Sequence, residues 1–135
     1  MNKIDYEIED FMCYCGSKGL SKKTMNSYET TLKIFARYLE DVEKITSTKE
    51  VTKEVSRKYI MYLKERGKYT VVTNNNTKEI NKPQNRTDYA KPIKNSTINN
   101  YIRNLKVYFH FMEDNYVIRK NPLSTTSLLR APRKK

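Results

Sequence analysis

The chain has 135 residues, 27 Lys and Arg against 15 Asp and Glu for a formal net charge of +12, and 37% hydrophobic residues. This composition supplies one modest core beneath a large solvated surface, and no apolar run approaches the roughly eighteen residues that a membrane span needs. The acidic opening MNKIDYEIED lacks the build of a secretion signal, so a soluble, cytoplasmic protein is expected.

The charge is unevenly placed. Residues 1–50 carry 8 basic and 9 acidic side chains, whereas residues 51–135 carry 19 and 6. An excess of one sign over part of a chain is what a face built for a polyanion requires. The basic residues do not gather on one amphipathic helix with a Trp/Phe face, which disfavours a membrane surface.

In chain order, the first helix is predicted over residues 4–18, with Ile4, Ile8, Phe11, Met12 and Cys15 at helical spacing. Asp5, Glu7, Glu9 and Asp10 suit the positive end of its dipole, and Gly19 supplies a left-handed stop. Ser21 then caps a second helix, with Leu20 and Met25 placed as a hydrophobic staple. Its stripe is Met25, Tyr28, Leu32, Phe35, Ala36 and Leu39, ending near Asp41. The opposite face is polar and basic, apart from Ile34, which is expected to meet a neighbour. A loop over 45–50 leads to a third helix capped by Thr52, burying Val55, Tyr59, Ile60 and Leu63 and stopping at Gly67.

Between Lys68 and Asn95 the periodicity dissolves into Asn74-Asn75-Asn76, Lys82-Pro83 and Lys91-Pro92, the chemistry of loops and turns. The β-branched run Thr70-Val71-Val72-Thr73 suits a short extended piece. A connection this long is functional or disordered; its basic excess suits a DNA-contacting loop, and a plain flexible insertion fits it equally.

A fourth helix follows, capped by Asn95 or Ser96. Ile98, Tyr101, Ile102, Leu105, Tyr108, Phe109 and Met112 form its inner stripe. Asn99, Asn100, Arg103, Asn104 and Lys106 form a polar far side in its first half, while Val107 and Phe111 make the second half apolar all round. Such a helix is suited to entering a groove by its N-terminal end, where Arg reads guanine and Asn reads adenine. Tyr116-Val117-Ile118 then makes an apolar contact, Asn121-Pro122 blocks further helix, and the chain ends in the basic run 130–135.

Cys13 and Cys15 are the only cysteines and point to different sides of the first helix, so they cannot bridge each other. With a single His, they assemble no zinc site. They read as free thiols in a reducing compartment, Cys15 on the core side.

These motifs carry a family resemblance. Ser21-Lys22-Lys23-Thr24, followed by Tyr28, Phe35 and Tyr38-Leu39, resembles the "GLS-x-x-T-x-x-x-Y" helix of tyrosine recombinases, the phage integrases. Residues 96–106, with Ser96, Thr97, Ile98, Tyr101 and Leu105, are similar to their "S-x-x-T-I-x-x-Y-x-x-x-L" helix, and Asn121-Pro122 to their exit into a linker. The resemblance implies an all-α fold of four to five helices, the SAM-like core-binding domain, with a long insertion (68–95) before the last main helix. Residues 1–127 would form the domain and 128–135 the start of a basic linker to a catalytic domain. In the family this domain forms half of a clamp around double-stranded DNA. The implied DNA-binding residues are Ser21, Lys22, Lys23, Asn26 and Ser27 on the second helix, and Asn95, Thr97, Asn99, Asn100 and Arg103 on the fourth. Free N–H groups at helix starts suit phosphates.

The family's chemistry uses a tyrosine nucleophile with arginines, a lysine and an H-x-x-R motif. Here Glu113, not arginine, stands three residues after His110, the only histidine. The expectation is therefore a binding module with no catalytic residue, metal or cofactor, whose partners are DNA, a catalytic domain of the same parent chain, and neighbouring recombinase protomers. Two other classes compete. A stand-alone helical regulator would show a short recognition helix after a tight turn. A helical protein-interaction bundle would expose an apolar stripe, hinted at by Ile34, Val107 and Phe111.

Overall fold

A computed structural model describes residues 2–65 and 93–129. Within them lie four α-helices and no strand: α1 (Lys3–Ser17), α2 (Lys22–Tyr38), α3 (Lys53–Glu65) and α4 (Asn95–Asp114). The expected extended piece at 70–73, the stop at Gly67 and nearly all of the long connection lie outside the described residues.

Helix α1 starts where the Asp5 carboxylate accepts the Asn2 N–H at 2.8 Å, adding negative charge at the positive helix end. It buries Ile4, Ile8, Phe11 and Cys15. Gly19 ends the turn at φ +73. Nothing lies within 4 Å of a Cβ placed there, so backbone conformation alone selects glycine. The Ser21 hydroxyl then accepts the Thr24 N–H at 3.2 Å, the N-cap read from the sequence. Leu20 and Met25 pack against the core on either side of it.

Helix α2 is α-helical only to Tyr38; a π-helical turn at Leu39–Glu43 prolongs it and ends at Lys44 in the left-handed region. A 3-10 turn, Thr48–Glu50, precedes α3. Thr52 starts α3 by accepting the Val55 N–H at 3.2 Å, and Ser56, Tyr59 and Leu63 turn inward.

The four elements meet through aromatic rings. Phe35 of α2 lies 4.8 Å from Tyr59 of α3 and 5.9 Å from Phe109 of α4, centroid to centroid. Phe11 of α1 meets the Tyr108 ring edge-on at 5.3 Å, a favoured geometry for aromatic pairs. A buried polar chain closes the remaining corner. Glu7 accepts the Thr48 N–H at 3.0 Å, and the Thr48 and Tyr108 hydroxyls lie 2.8 Å apart. Of the expected core, Leu32, Phe35, Ile98, Ile102, Leu105 and Phe109 are fully buried, and Tyr28 packs against them from a partly buried position.

Several expectations are corrected. Ile34 does meet a neighbour, but within this chain: it is buried in the core rather than adding to an exposed apolar stripe. Helix α4 is capped one residue early. Lys94 is extended (φ −66, ψ 147), and its carbonyl accepts the Thr97 and Ile98 N–H groups, so Asn95 and Ser96 already lie inside the helix. The second half of α4 is not buried all round: Val107 is 42% exposed, while Phe111 is covered by the rings of Phe11 and Tyr14. Of the expected Tyr116-Val117-Ile118 contact, Val117 and Ile118 pack against the core, but Tyr116 does not. It is 93% exposed, because it occupies the left-handed position (φ 61) that turns the chain off α4.

After that turn the chain runs back along α4. Glu113 accepts the Asn121 N–H at 2.7 Å, and the Asn121 side chain donates to the Lys106 carbonyl at 3.2 Å. Leu123 is buried, and Leu129 reaches Asn99 in the second turn of α4.

Candidate nucleic-acid interface

Three pairings set the relation of α2 to α4. Asn100 Nδ2 lies 3.4 Å from Ser27 Oγ, Asn104 Nδ2 lies 2.9 Å from Thr31 Oγ1, and the Phe35 and Phe109 rings meet further on. Residue numbers rise together on the two helices, so α2 and α4 run parallel. Ser27 stands five residues after Lys22 and Asn100 five after Asn95, so the two helices begin level with each other. Their positive dipole ends therefore lie at one end of the domain.

That end carries most of the residues singled out from the sequence. Ser21, Lys22, Lys23 and Asn26 are exposed at the start of α2, and Lys94, which the sequence places only in the basic excess of the long connection, is exposed at the cap of α4. Thr97 is half-buried, and Asn95, also half-buried, is engaged within the protein. Arg103 is exposed one turn beyond Asn99 on the same face. Among the described residues Lys22, Lys23, Lys94 and Arg103 make no ion pair. The contrast on the α1 side of α2 is marked. There Lys33 pairs with Glu29 at 3.1 Å and Arg37 with Asp41 at 3.2 Å, and Asp5, Glu9 and Glu40 line the same groove. Unpaired cations therefore stand at both helix starts and, at Arg103, on the outer face of α4, as others do elsewhere, among them Arg57 and Lys58 on α3 and Arg119 and Lys120 after α4.

Other candidates are spent inside the protein. Asn104, expected on the far side of α4, is 7% exposed. Its amide also donates to Ser27 Oγ at 3.1 Å, because α2 packs against that flank. Ser27 is therefore already a receiver for α4. Asn99 holds the returning chain: its Nδ2 donates to the Leu129 carbonyl at 2.9 Å, and its Oδ1 accepts the Leu129 N–H at 2.6 Å. Pairings between residues so distant in sequence leave no periodic signal, so only a structure reveals them.

Burial pushes the hydroxyls of Tyr108 and Tyr38 well above the ordinary tyrosine range, the opposite of what activates a phenol nucleophile. His110 Nε2 lies 3.2 Å from Asp114 on the exposed side of α4. No cluster of three or more metal-ligating side chains exists among the described residues, and none of their helices is long and apolar enough to cross a membrane.

The family model for the phage integrase N-terminal SAM-like domain matches residues 8–77, just over half of the 135. The chain belongs to this family. The match takes in α1 from Ile8 onward and all of α2 and α3; α4 lies beyond it. No curated protein and no solved structure matches the chain.

Proposed function

We propose that this domain is the DNA-holding module of a site-specific tyrosine recombinase, closing one half of a clamp on duplex DNA and doing no chemistry itself. The observation that carries the reading is the level, parallel start of α2 and α4. Lys22, Lys23 and Lys94 stand at those two positive helix ends, and the exposed Arg103 follows two turns along α4. Helix ends with free N–H groups bind phosphate oxygens, and nearby Lys and Arg displace counterions from the duplex.

In this reading Ser21, Lys22, Lys23 and Lys94 hold the backbone, while Arg103, Asn100 and Asn26 face base edges or further phosphates. The domain spans 1–127, and the residues from 128 onward lead toward a catalytic domain of the parent protein, the second half of the clamp. Neighbouring protomers on the same DNA are the remaining partners. The interaction-bundle alternative is weakened by the burial of Ile34 and the covering of Phe111.

The test is a salt titration of binding to a labelled duplex. Affinity alone should be weak, about 10⁻⁴ to 10⁻⁶ M at physiological salt for non-specific DNA, and should fall steeply as salt rises. Binding that is indifferent to salt, or absent at low salt, would sink the reading.

A further inference from the structure

The groove between α1 and α2 takes no part in the DNA contacts described above. It runs from Asn2 to Cys13 on α1, and from Glu29 to Glu40 on α2 and its π-helical continuation, eleven residue steps on each side. That is about 16 Å of helix. Its volume of about 1140 Å³ exceeds the roughly 1,000 Å³ that bounds small-molecule pockets. Ile8 and Met12 give it an apolar floor. Glu29 and Glu40 stand at its two ends, with Asp5 and Glu9 on the α1 side. The cations in the lining, Lys33 and Arg37, are committed to Glu29 and Asp41. Among the described residues Glu9 and Glu40 therefore line the groove without an ion pair.

Helix α3 carries a surface of the opposite character. Lys53, Arg57, Met61 and Lys64 recur at steps of three and four, so they lie along one stripe of that helix, with Glu54 and Glu65 to one side of it. All four are exposed, Met61 at 52%, and the three cations make no ion pair among the described residues. The stripe also extends over eleven residue steps, with cations at both ends and an apolar side chain between them. Groove and stripe thus agree in length and oppose each other in charge.

We propose that the α1–α2 groove of one copy receives the α3 stripe of a second copy, Met61 seating over Ile8 and Met12 while the cations meet the groove carboxylates. The two surfaces differ, so the contact is head to tail. A thioether suits it, because Met adapts to an irregular apolar surface. Copies of a chain with net charge +12 repel each other in free solution, and the phosphates of a shared duplex offset that repulsion. The proposal names the surface by which neighbouring protomers meet on DNA, so it rests on the DNA-binding reading above.

Cys13, exposed and in the groove, supplies the probe. Full-length chains carrying Met61→Cys are bound to a labelled duplex long enough for two copies and oxidised with copper phenanthroline. The comparison is Val107→Cys, at a site on the outer face of α4 that is 42% exposed. Disulfide-linked dimers are isolated, and mass spectrometry counts the links from Cys13 to position 61 or 107. A second Met61→Cys chain adds Glu9→Arg and Glu40→Arg, its rate normalised to modification of Cys13 by a small thiol reagent. Retardation of the duplex is recorded in every sample, and a short duplex that holds one copy is titrated with Arg57→Ala.

Linkage to position 61 should outrun linkage to position 107 by about tenfold or more, because a formed interface holds the two sulfurs together. Glu9→Arg with Glu40→Arg should bring it down to the level of position 107. Equal rates at 61 and 107 would reflect chance collision and overturn the proposal, as would a linkage that the two arginines leave untouched. Arg57→Ala should leave binding to the short duplex as it was. If it lowers the salt slope there by about one unit, the stripe serves phosphates instead of a second copy and the proposal fails. In all these outcomes the duplex is still retarded, so the DNA-binding reading stands. A chain that retards no duplex brings down both.

Discussion

Asn104 on α4 donates to Thr31 Oγ1 on α2 at 2.9 Å from a buried position, and the same amide nitrogen lies 3.1 Å from Ser27 Oγ. This one side chain holds the register in which the two helices start level. Thr31 donates its own proton to the Ser27 carbonyl at 2.9 Å, so its oxygen is left to accept, and Asn104 supplies the donor.

Asn104→Ala should therefore destabilise the domain by about 1–3 kcal/mol, the cost of leaving buried partners unpaired. Asn104→Asp should cost more, because an ionised carboxylate has no proton for Thr31 or for the Ser27 carbonyl. Asn26→Ala, on the exposed face of α2, should stay within about 0.5 kcal/mol. Urea denaturation of the three variants checks the ranking. An Asn104→Ala protein as stable as Asn26→Ala would show that the α2–α4 register is held by the apolar contacts alone.

The helices, the Ser21 cap, the Gly19 stop and the inner stripe of α4 were legible because each rests on spacing within one segment. The candidate site was legible only in part. Lys22, Lys23 and Arg103 were singled out by charge and by resemblance, and all three side chains are exposed. Asn99 and Asn104 were misread as free polar surface, because a helical wheel cannot show that α2 covers one flank of α4 and the returning chain another. Lys94 was passed over for the same kind of reason: the first residue of a helix is decided by backbone angles, and Asn95 and Ser96 have the better capping side chains. Tyr116 was expected to be apolar contact, yet its position demands a left-handed backbone, a demand that falls on glycine in most helices.

Tyr116 supplies a gain-of-stability prediction. A non-glycine residue in the left-handed region costs about 1–2 kcal/mol, and at 93% exposure this ring has little packing to lose. Glycine removes that strain but adds freedom to the unfolded chain. Tyr116→Gly should therefore stabilise the domain by about 0.5–1 kcal/mol, as should Lys44→Gly at φ 58. Thermal melts decide it. A loss of stability on Tyr116→Gly would mean that the ring makes contacts that offset its backbone strain.

The two cysteines should separate by reactivity. Cys13 is exposed and Cys15 buried, and burial pushes the Cys15 thiol above its ordinary range, with Lys18 opposing only in part. The thiolate is the reactive form, so a raised value leaves Cys15 protonated as well as covered. In the folded protein a thiol-exchange reagent should modify one equivalent quickly and the second only on unfolding. Mass spectrometry should place the fast adduct on Cys13. Equal rates at both positions would show that the end of α1 opens readily.

The ion pairs on α2 give the DNA-binding reading its sharpest internal control. Lys22 and Lys23 are exposed near the start of that helix, whereas Lys33 and Arg37, further along, are committed to Glu29 and Asp41. If the level starts of α2 and α4 meet the duplex, Lys23→Ala should weaken binding to every sequence and reduce the log–log salt slope by about one unit. Lys33→Ala removes the same formal charge from the same helix and should leave the slope unchanged, because Lys33 serves a carboxylate rather than a phosphate. Arg103→Ala separates two roles on α4. As a base contact it should relax discrimination at one base pair by about 1–3 kcal/mol, and as a phosphate contact it should behave like Lys23→Ala. Circular dichroism of each variant guards against unfolding. If Lys33→Ala and Lys23→Ala lower the slope equally, attraction depends on total charge and the orientation assigned to the domain is wrong. If only Lys23→Ala lowers it, the duplex lies against the end where α2 and α4 begin.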